Sequence, residues 1–235
     1  MNNFMSKNEK FALAITSAVA LTTVLGLFYH KPDTPQEVDP VTQEAEQMVS
    51  SQPVLTTYKL IEERFDTTVY NLTTEEFKEY YKLKQTPCSD LKLSQKQLRA
   101  LAVVKVFAKP HKLVNTMTAI ALQESSLNNL AVNSKSGALG LGQILPATAR
   151  SIAIQRNEYL NDEDLAMKLT GDIRLNLEYM LDVIQYFTKV NSKEGYVNHN
   201  RVWLGYYAGH SYNDSTGYDR DIANNIKLLK QCRFI

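Results

Sequence analysis

Metal-ligating residue types are scarce in this chain of 235 residues, which has two cysteines and four histidines. His30, His111, His199 and His210 are scattered without ligand spacing, so neither a metal nor another cofactor is expected. Cys88 and Cys232 have no histidine near them in sequence, and no G-x-S-x-G occurs. That removes the usual thiol and serine nucleophile patterns. Charge of one sign is also lacking: 26 basic against 25 acidic residues leave a formal net charge of +1. No strong field draws the chain to nucleic acid, which is not an expected partner. Strand signals are nearly absent, a short ribbon within residues 191–200 being the one place that remains open, and there is no internal repeat. A single tryptophan stands against thirteen tyrosines, a residue that serves cores and sugar-binding clefts alike. Glycine is sparse, nine in all, yet Gly137, Gly140 and Gly142 fall within six positions. A phosphate loop there is excluded, since no strand precedes it and no Gly-Lys-Ser/Thr follows.

Charge is wholly missing from Phe11 to Tyr29. As a helix this run would span roughly 28 Å, close to the hydrocarbon thickness of a bilayer. It ends in bulky Leu27, Phe28 and Tyr29, unlike the small-residue exit of a cleaved signal peptide. The run therefore predicts an uncleaved transmembrane anchor; Ala18-Val19-Ala20 keeps cleavage open as the alternative. Lys7 and Lys10 precede it, whereas Asp33, Glu37 and Asp39 follow, which places the N-terminus in the cytoplasm and the remainder outside. In an oxidising compartment Cys88 and Cys232 can form one bridge across the intervening chain, the alternative being two unpaired thiols.

Residues 31–53 are rich in proline, acidic and small polar residues and read as a linker. A helix is expected over Glu75 to Lys84, with Thr73 and Glu76 spaced as a capping box, and is assigned to a non-catalytic stalk or lead-in. Ser94 and Gln97 form a second capping box before LRALAVVKVF, which Pro110 ends. Further helices are predicted from about His111 to Ser125, from Pro146, through Ile173, Leu177, Met180, Leu181 and Ile184, over Arg201 to Ala208, and over Asp219 to Gln231. The organisation that follows is a cytoplasmic tip and anchor at 1–30, a linker and stalk at 31–87, and a mainly α domain at 88–235.

On the helix ending at Ser125, the apolar residues Leu113, Met117 and Ile120 lie four and three apart, and the next step of four lands on Glu124. The carboxylate thus continues the buried face. A buried carboxyl resists ionisation, which is what a general acid needs. A glutamate turning back to water, or pairing with Lys or Arg at the helix end, accounts for the stripe equally well. The residues that follow favour the acid. Ser125, Ser126, Asn128, Asn129, Asn133 and Ser134 offer neutral hydrogen-bonding groups suited to sugars, and the glycines permit close backbone approach.

The segment ESSLNNLAVN, followed by GALGLGQILPATA, resembles the signature of the soluble lytic transglycosylases, as does Leu204-Gly-Tyr206-Tyr207-Ala208-Gly209. More weakly, Asp172-Ile173 with Asn176, Tyr179 and Met180 follows the spacing of a further helix of that family. The resemblance covers roughly residues 90–230. It implies a goose-lysozyme-like helical fold with a cleft, and cleavage of peptidoglycan glycan strands. It also implies Glu124 as catalytic acid/base with Ser125 beside it, and Asn133 or Ser134, Gly142 and Gln143 along the cleft. Tyr206 would bring its hydroxyl to the carboxylate. The chain departs from the family pattern at Gly142, where methionine is usual, at Tyr207, where asparagine is usual, at His210 for proline, and at Asp172 and Asn176 for asparagine and glycine. Combined with the anchor, the resemblance implies a single-pass protein of a bacterial inner membrane with its catalytic domain in the periplasm, or a phage virion component acting there. Glycan strands and the membrane are the implied partners, and the setting stays open between a secretion, conjugation or phage machine and cell-wall turnover. In the implied reaction one glutamate protonates the MurNAc–GlcNAc oxygen and then deprotonates the MurNAc C6 hydroxyl, closing a 1,6-anhydro ring. A lysozyme-type hydrolase and a non-catalytic peptidoglycan-binding component are the alternatives.

Overall fold

The computed structural model describes residues 71–158, 160–193, 195–209 and 216–235, with the backbone alone at Asp162. The apolar run at 11–29, the linker at 31–53 and His210 lie outside the described residues. Among the described residues no helix is long and apolar enough to cross a membrane.

The described chain is mainly helical. Its elements are α1 (Thr74–Lys84), α2 (Gln95–Ala108), α3 (Val114–Ser125), α4 (Pro146–Gln155), α5 (Asp162–Gly171), α6 (Ile173–Val190), α7 (His199–Ala208) and α8 (Tyr218–Gln231). Local chemistry sets most of the starts. Thr73 with Glu76, and Ser94 with Gln97, close reciprocal capping boxes on α1 and α2. Asn161, Asp172 and Asn198 cap α5, α6 and α7 with side-chain oxygens, and Pro146 opens α4. The ribbon is real but minimal: β1 (Ser192–Lys193) pairs antiparallel with β2 (Tyr196–Val197). Helix α3 begins at Val114, later than its pattern predicts. Residues 108–113 close turns instead, with Lys112 at φ 58° and no side-chain cap at Leu113. Helix α5 was not foreseen as an element of its own; Leu165 and Leu169, four apart, bury one face of it.

Helix α6 is the spine. Ile173, Leu177, Met180, Ile184 and Phe187 are all buried along it, and α2, α4, α5 and α7 pack against it. Helix α3 lies between α2 and α8, which brings the end of α3 to the start of α8.

The boundary drawn at residue 88 is corrected by α1, which is part of the packed domain. Tyr80 and Leu83 enter the core, and the Arg99 guanidinium lies 5.4 Å from the centre of the Tyr80 ring. Glu76, 3% exposed, is paired with Arg174 of α6, which also donates to the Asn71 carbonyl at 3.1 Å. The polar composition of 54–87 hid this, because only one narrow face of α1 (Glu76, Tyr80, Leu83) is buried. Arg174→Met is expected to destabilise the domain by about 1–3 kcal/mol in a denaturant titration, because it strips a buried carboxylate of its cation. An unchanged midpoint would mean that α1 is not integral to the fold.

Cys88 and Cys232 are joined by a disulfide, their Cα atoms 5.1 Å apart. It fastens the segment between α1 and α2 to the C-terminal end of α8.

Candidate active site

Glu124 stands in the last turn of α3. Met117 and Ile120, on the same face, are fully buried, while Glu124 itself is half-buried. Burial pushes its carboxyl above the ordinary carboxylate range, and a hydrogen bond from Tyr218 offsets part of that rise. The Tyr218 hydroxyl donates to Glu124 Oε1 from the first residue of α8. The two helices are pinned again one residue earlier in α3, where Asn225 Nδ2 donates to Gln123 Oε1 at 2.9 Å. Among the described residues no cation pairs with Glu124 and no second carboxylate acts on it. The reading of Glu124 as a helix-end glutamate held by Lys or Arg therefore finds no partner there.

The loop from Ser126 to Leu145 folds back on itself. Ser126 and Leu127 both have positive φ, 52° and 62°, which turns the chain sharply after α3. Bridges Val132–Leu139 and Leu139–Ile144 then fold it into a compact ribbon. Its polar side chains serve mostly the loop's own backbone. Ser125 Oγ donates to the Ala121 carbonyl at 3.0 Å and accepts from Asn128 N at 3.2 Å. Asn133 Oδ1 accepts from the amides of Lys135 and Ser136, closing an Asx turn, and Ser134 is exposed in that turn. Gln143, at φ 50°, donates from Nε2 to the carbonyls of Gly140 (3.0 Å) and Ala131 (3.2 Å). Among the described residues no hydrogen bond joins Ser125, Asn133, Ser134 or Gln143 to Glu124.

Asn176, fully buried on α6, holds the glycine segment in place. It accepts from Gly142 N at 2.8 Å and donates to the carbonyls of Leu139 (3.1 Å) and Leu169 (3.0 Å), so three backbone groups meet one amide. Gly140, at φ +72°, is pressed so close to Asn176 and the Leu169 carbonyl that a Cβ would overlap both.

Tyr206, on α7, donates its hydroxyl to the Gly142 carbonyl at 2.7 Å. Glu124 lies near enough that burial first and then its charge hold the Tyr206 hydroxyl well above its ordinary pKa. The structure thus gathers Glu124, Gly142, Tyr206 and Tyr218, and the hydroxyl bonded to the carboxylate is that of Tyr218. Burial and the Glu124 charge, together with the hydrogen bond, hold that phenol well above its ordinary pKa as well, so it stays a donor. Sequence reasoning missed Tyr218, although a signal was present. Tyr218, Ile222, Ile226 and Leu229 form one stripe on α8, which puts Tyr218 on its inward face.

Gly142 and Tyr206 are sterically coupled. A Cβ at Gly142 would meet the Tyr206 hydroxyl at 2.7 Å, with Asn176 Oδ1 and Met180 Cβ at 3.4 Å. Gly142→Met is therefore expected to lower stability by about 1–3 kcal/mol. Tyr206→Phe in the same chain should restore much of the loss, since it removes the nearest clashing atom. Thermal midpoints of the two single variants and the double variant check this; purely additive effects would contradict the coupling.

The family model described as Transglycosylase SLT domain matches residues 104–227, just over half of the chain. That span runs from α2 into α8 and includes Glu124, the glycine segment, Asn176, Tyr206 and Tyr218. Neither the curated proteins nor the solved structures yield a match to this chain. With the matched span containing the whole gathered site, the chain belongs to the transglycosylase SLT domain family.

Proposed function

We propose that the protein is a peptidoglycan lytic transglycosylase in which Glu124 acts first as acid and then as base. The observation that carries this reading is the carboxyl itself, protonation-prone through burial, bonded by a tyrosine hydroxyl and without an ionic partner among the described residues. With Oε1 accepting from Tyr218, Oε2 is left to carry the proton. It would pass that proton to the glycosidic oxygen between MurNAc and GlcNAc as the C1–O bond breaks. The carboxylate so formed would take the proton of the MurNAc C6 hydroxyl as its oxygen closes on C1. Hydrolases of this class commonly use a second carboxylate, as nucleophile or to activate water. Intramolecular attack by a hydroxyl already tethered to the sugar dispenses with one and gains from proximity. Ser125, Gln143 and Asn133 serve this chemistry by fixing the backbone of the loop that flanks the acid, and Ser134 is one of several exposed polar groups on that loop.

The setting is proposed as a single-pass anchor at 11–29 in a bacterial inner membrane, with the catalytic domain in the periplasm. The uncharged run and its flanking charges support it.

Reaction in water enriched in oxygen-18 tests the chemistry. Anhydro closure incorporates no label into the new MurNAc end, whereas a hydrolase on the same fold would label every one.

A further inference from the structure

Among the described residues four aromatic side chains are largely exposed: Phe77, Tyr81, Tyr196 and Tyr207. Phe77 and Tyr81 stack on each other on the outer face of α1, and Tyr196 stands on the hairpin. Tyr207 is the member of this set that touches the site. Its ring stacks on that of Tyr218, with centroids 4.7 Å apart and planes inclined by 21°, while Tyr218 donates to Glu124. Even so, Tyr207 is 57% exposed. The acid, the phenol that bonds it and an open aromatic face thus follow one another in direct contact.

An open aromatic face in that position has a specific use. A β-linked pyranose with equatorial substituents points the axial C–H bonds of C1, C3 and C5 to one side, forming a weakly positive apolar face that complements the negative face of a tyrosine ring. A glycan strand presenting its scissile bond to Glu124 must lay neighbouring sugars on the surface around Tyr218. We propose that Tyr207 is a stacking platform for a sugar ring of the bound strand and a specificity-determining residue of this enzyme. The choice of ligand rests on the reading of Glu124 as the glycan-cleaving acid. Asparagine, usual at this place in the family that the sequence resembles, has no ring face to offer. The departure at Tyr207 would thus supply a stacking contact that asparagine cannot make.

The test measures calorimetric binding of chitohexaose, a soluble β-1,4-linked GlcNAc oligomer, to the full chain in detergent carrying Glu124→Gln to prevent turnover. Tyr207→Phe, Tyr207→Ala and Tyr207→Asn are added in turn. The expected result is near-parental affinity with Phe and about five- to tenfold weaker binding with Ala and Asn. With Glu124 restored, the pH profile of sacculus cleavage should be the same in all three. Equal affinity for the Ala variant overturns the proposal, and so does failure of the parent to bind. A lowered kcat and shifted pH profile at constant affinity also overturn it, because Tyr207 would then act only by holding Tyr218. If the expected binding pattern appears but the wild-type chain leaves sacculi intact, the platform stands and the assignment of Glu124 falls.

Discussion

Glu124→Gln is expected to abolish release of muropeptides from purified sacculi, by about a thousandfold or more, while making the domain more stable at neutral pH. A positioned acid/base contributes about 10²–10⁴-fold, and in the proposed reaction one group serves both proton transfers. Glutamine keeps the shape and still accepts from Tyr218, so the loss should fall on chemistry and leave folding intact. The gain in stability comes from the same burial. The folded carboxyl holds its proton to higher pH than the unfolded one. Below the unfolded pKa both states are protonated and the site is at no disadvantage. As pH rises from there through the raised folded pKa, the unfolded chain releases its proton first, and stability is lost. The variant lacks this loss, so its thermal midpoint should exceed the wild type's at pH 7 and match it near pH 3. Wild-type cleavage should fall as pH climbs through the folded pKa of Glu124, the limb on which the acid form disappears. A variant that unfolds, or one equally stable at both pH values, would mean that Glu124 is not held as described.

Loss of the disulfide is the second large effect. The bond joins residues 144 apart, spanning nearly the whole described domain. In the chain-entropy account a loop of that length restricts the unfolded state strongly, and removing such a bond costs about 2–5 kcal/mol. Cys88→Ser with Cys232→Ser should therefore lower the denaturation free energy by that amount. Helix α8 carries Tyr218 at one end and lies next to Cys232 at the other. Below the lowered midpoint the bond between Tyr218 and Glu124 should persist, so activity per folded molecule should change little. A denaturation midpoint unmoved by reduction would show that the bond adds nothing to the fold.

Legibility in the sequence followed distance along the chain. The helix bearing Glu124, the turn chemistry after it and the glycine cluster are contiguous, and each declares itself through spacing or a capping pattern. The capping boxes at Thr73 and Ser94 are local in the same way. Tyr218 is 94 residues from Glu124, and nothing near either one names the other. The resemblance directed attention to Tyr206, whose hydroxyl instead satisfies the Gly142 carbonyl. Asn176 was visible only as a departure from a pattern. Its work, joining Gly142, Leu139 and Leu169, exists only once α6 has packed behind the loop. Helix α1 shows the same limit. Its cap could be read, but the burial of Glu76 depends on Arg174, 98 residues away.

One measurement bears most directly on Glu124 as the single acid/base. Purified sacculi are digested with the wild-type chain and with Glu124→Gln, and the released muropeptides are weighed by mass spectrometry. With Glu124 as the single acid/base, the wild type leaves 1,6-anhydro-MurNAc ends and the variant releases essentially nothing. Ends heavier by one water, or release by the variant at the wild-type rate, would contradict that role.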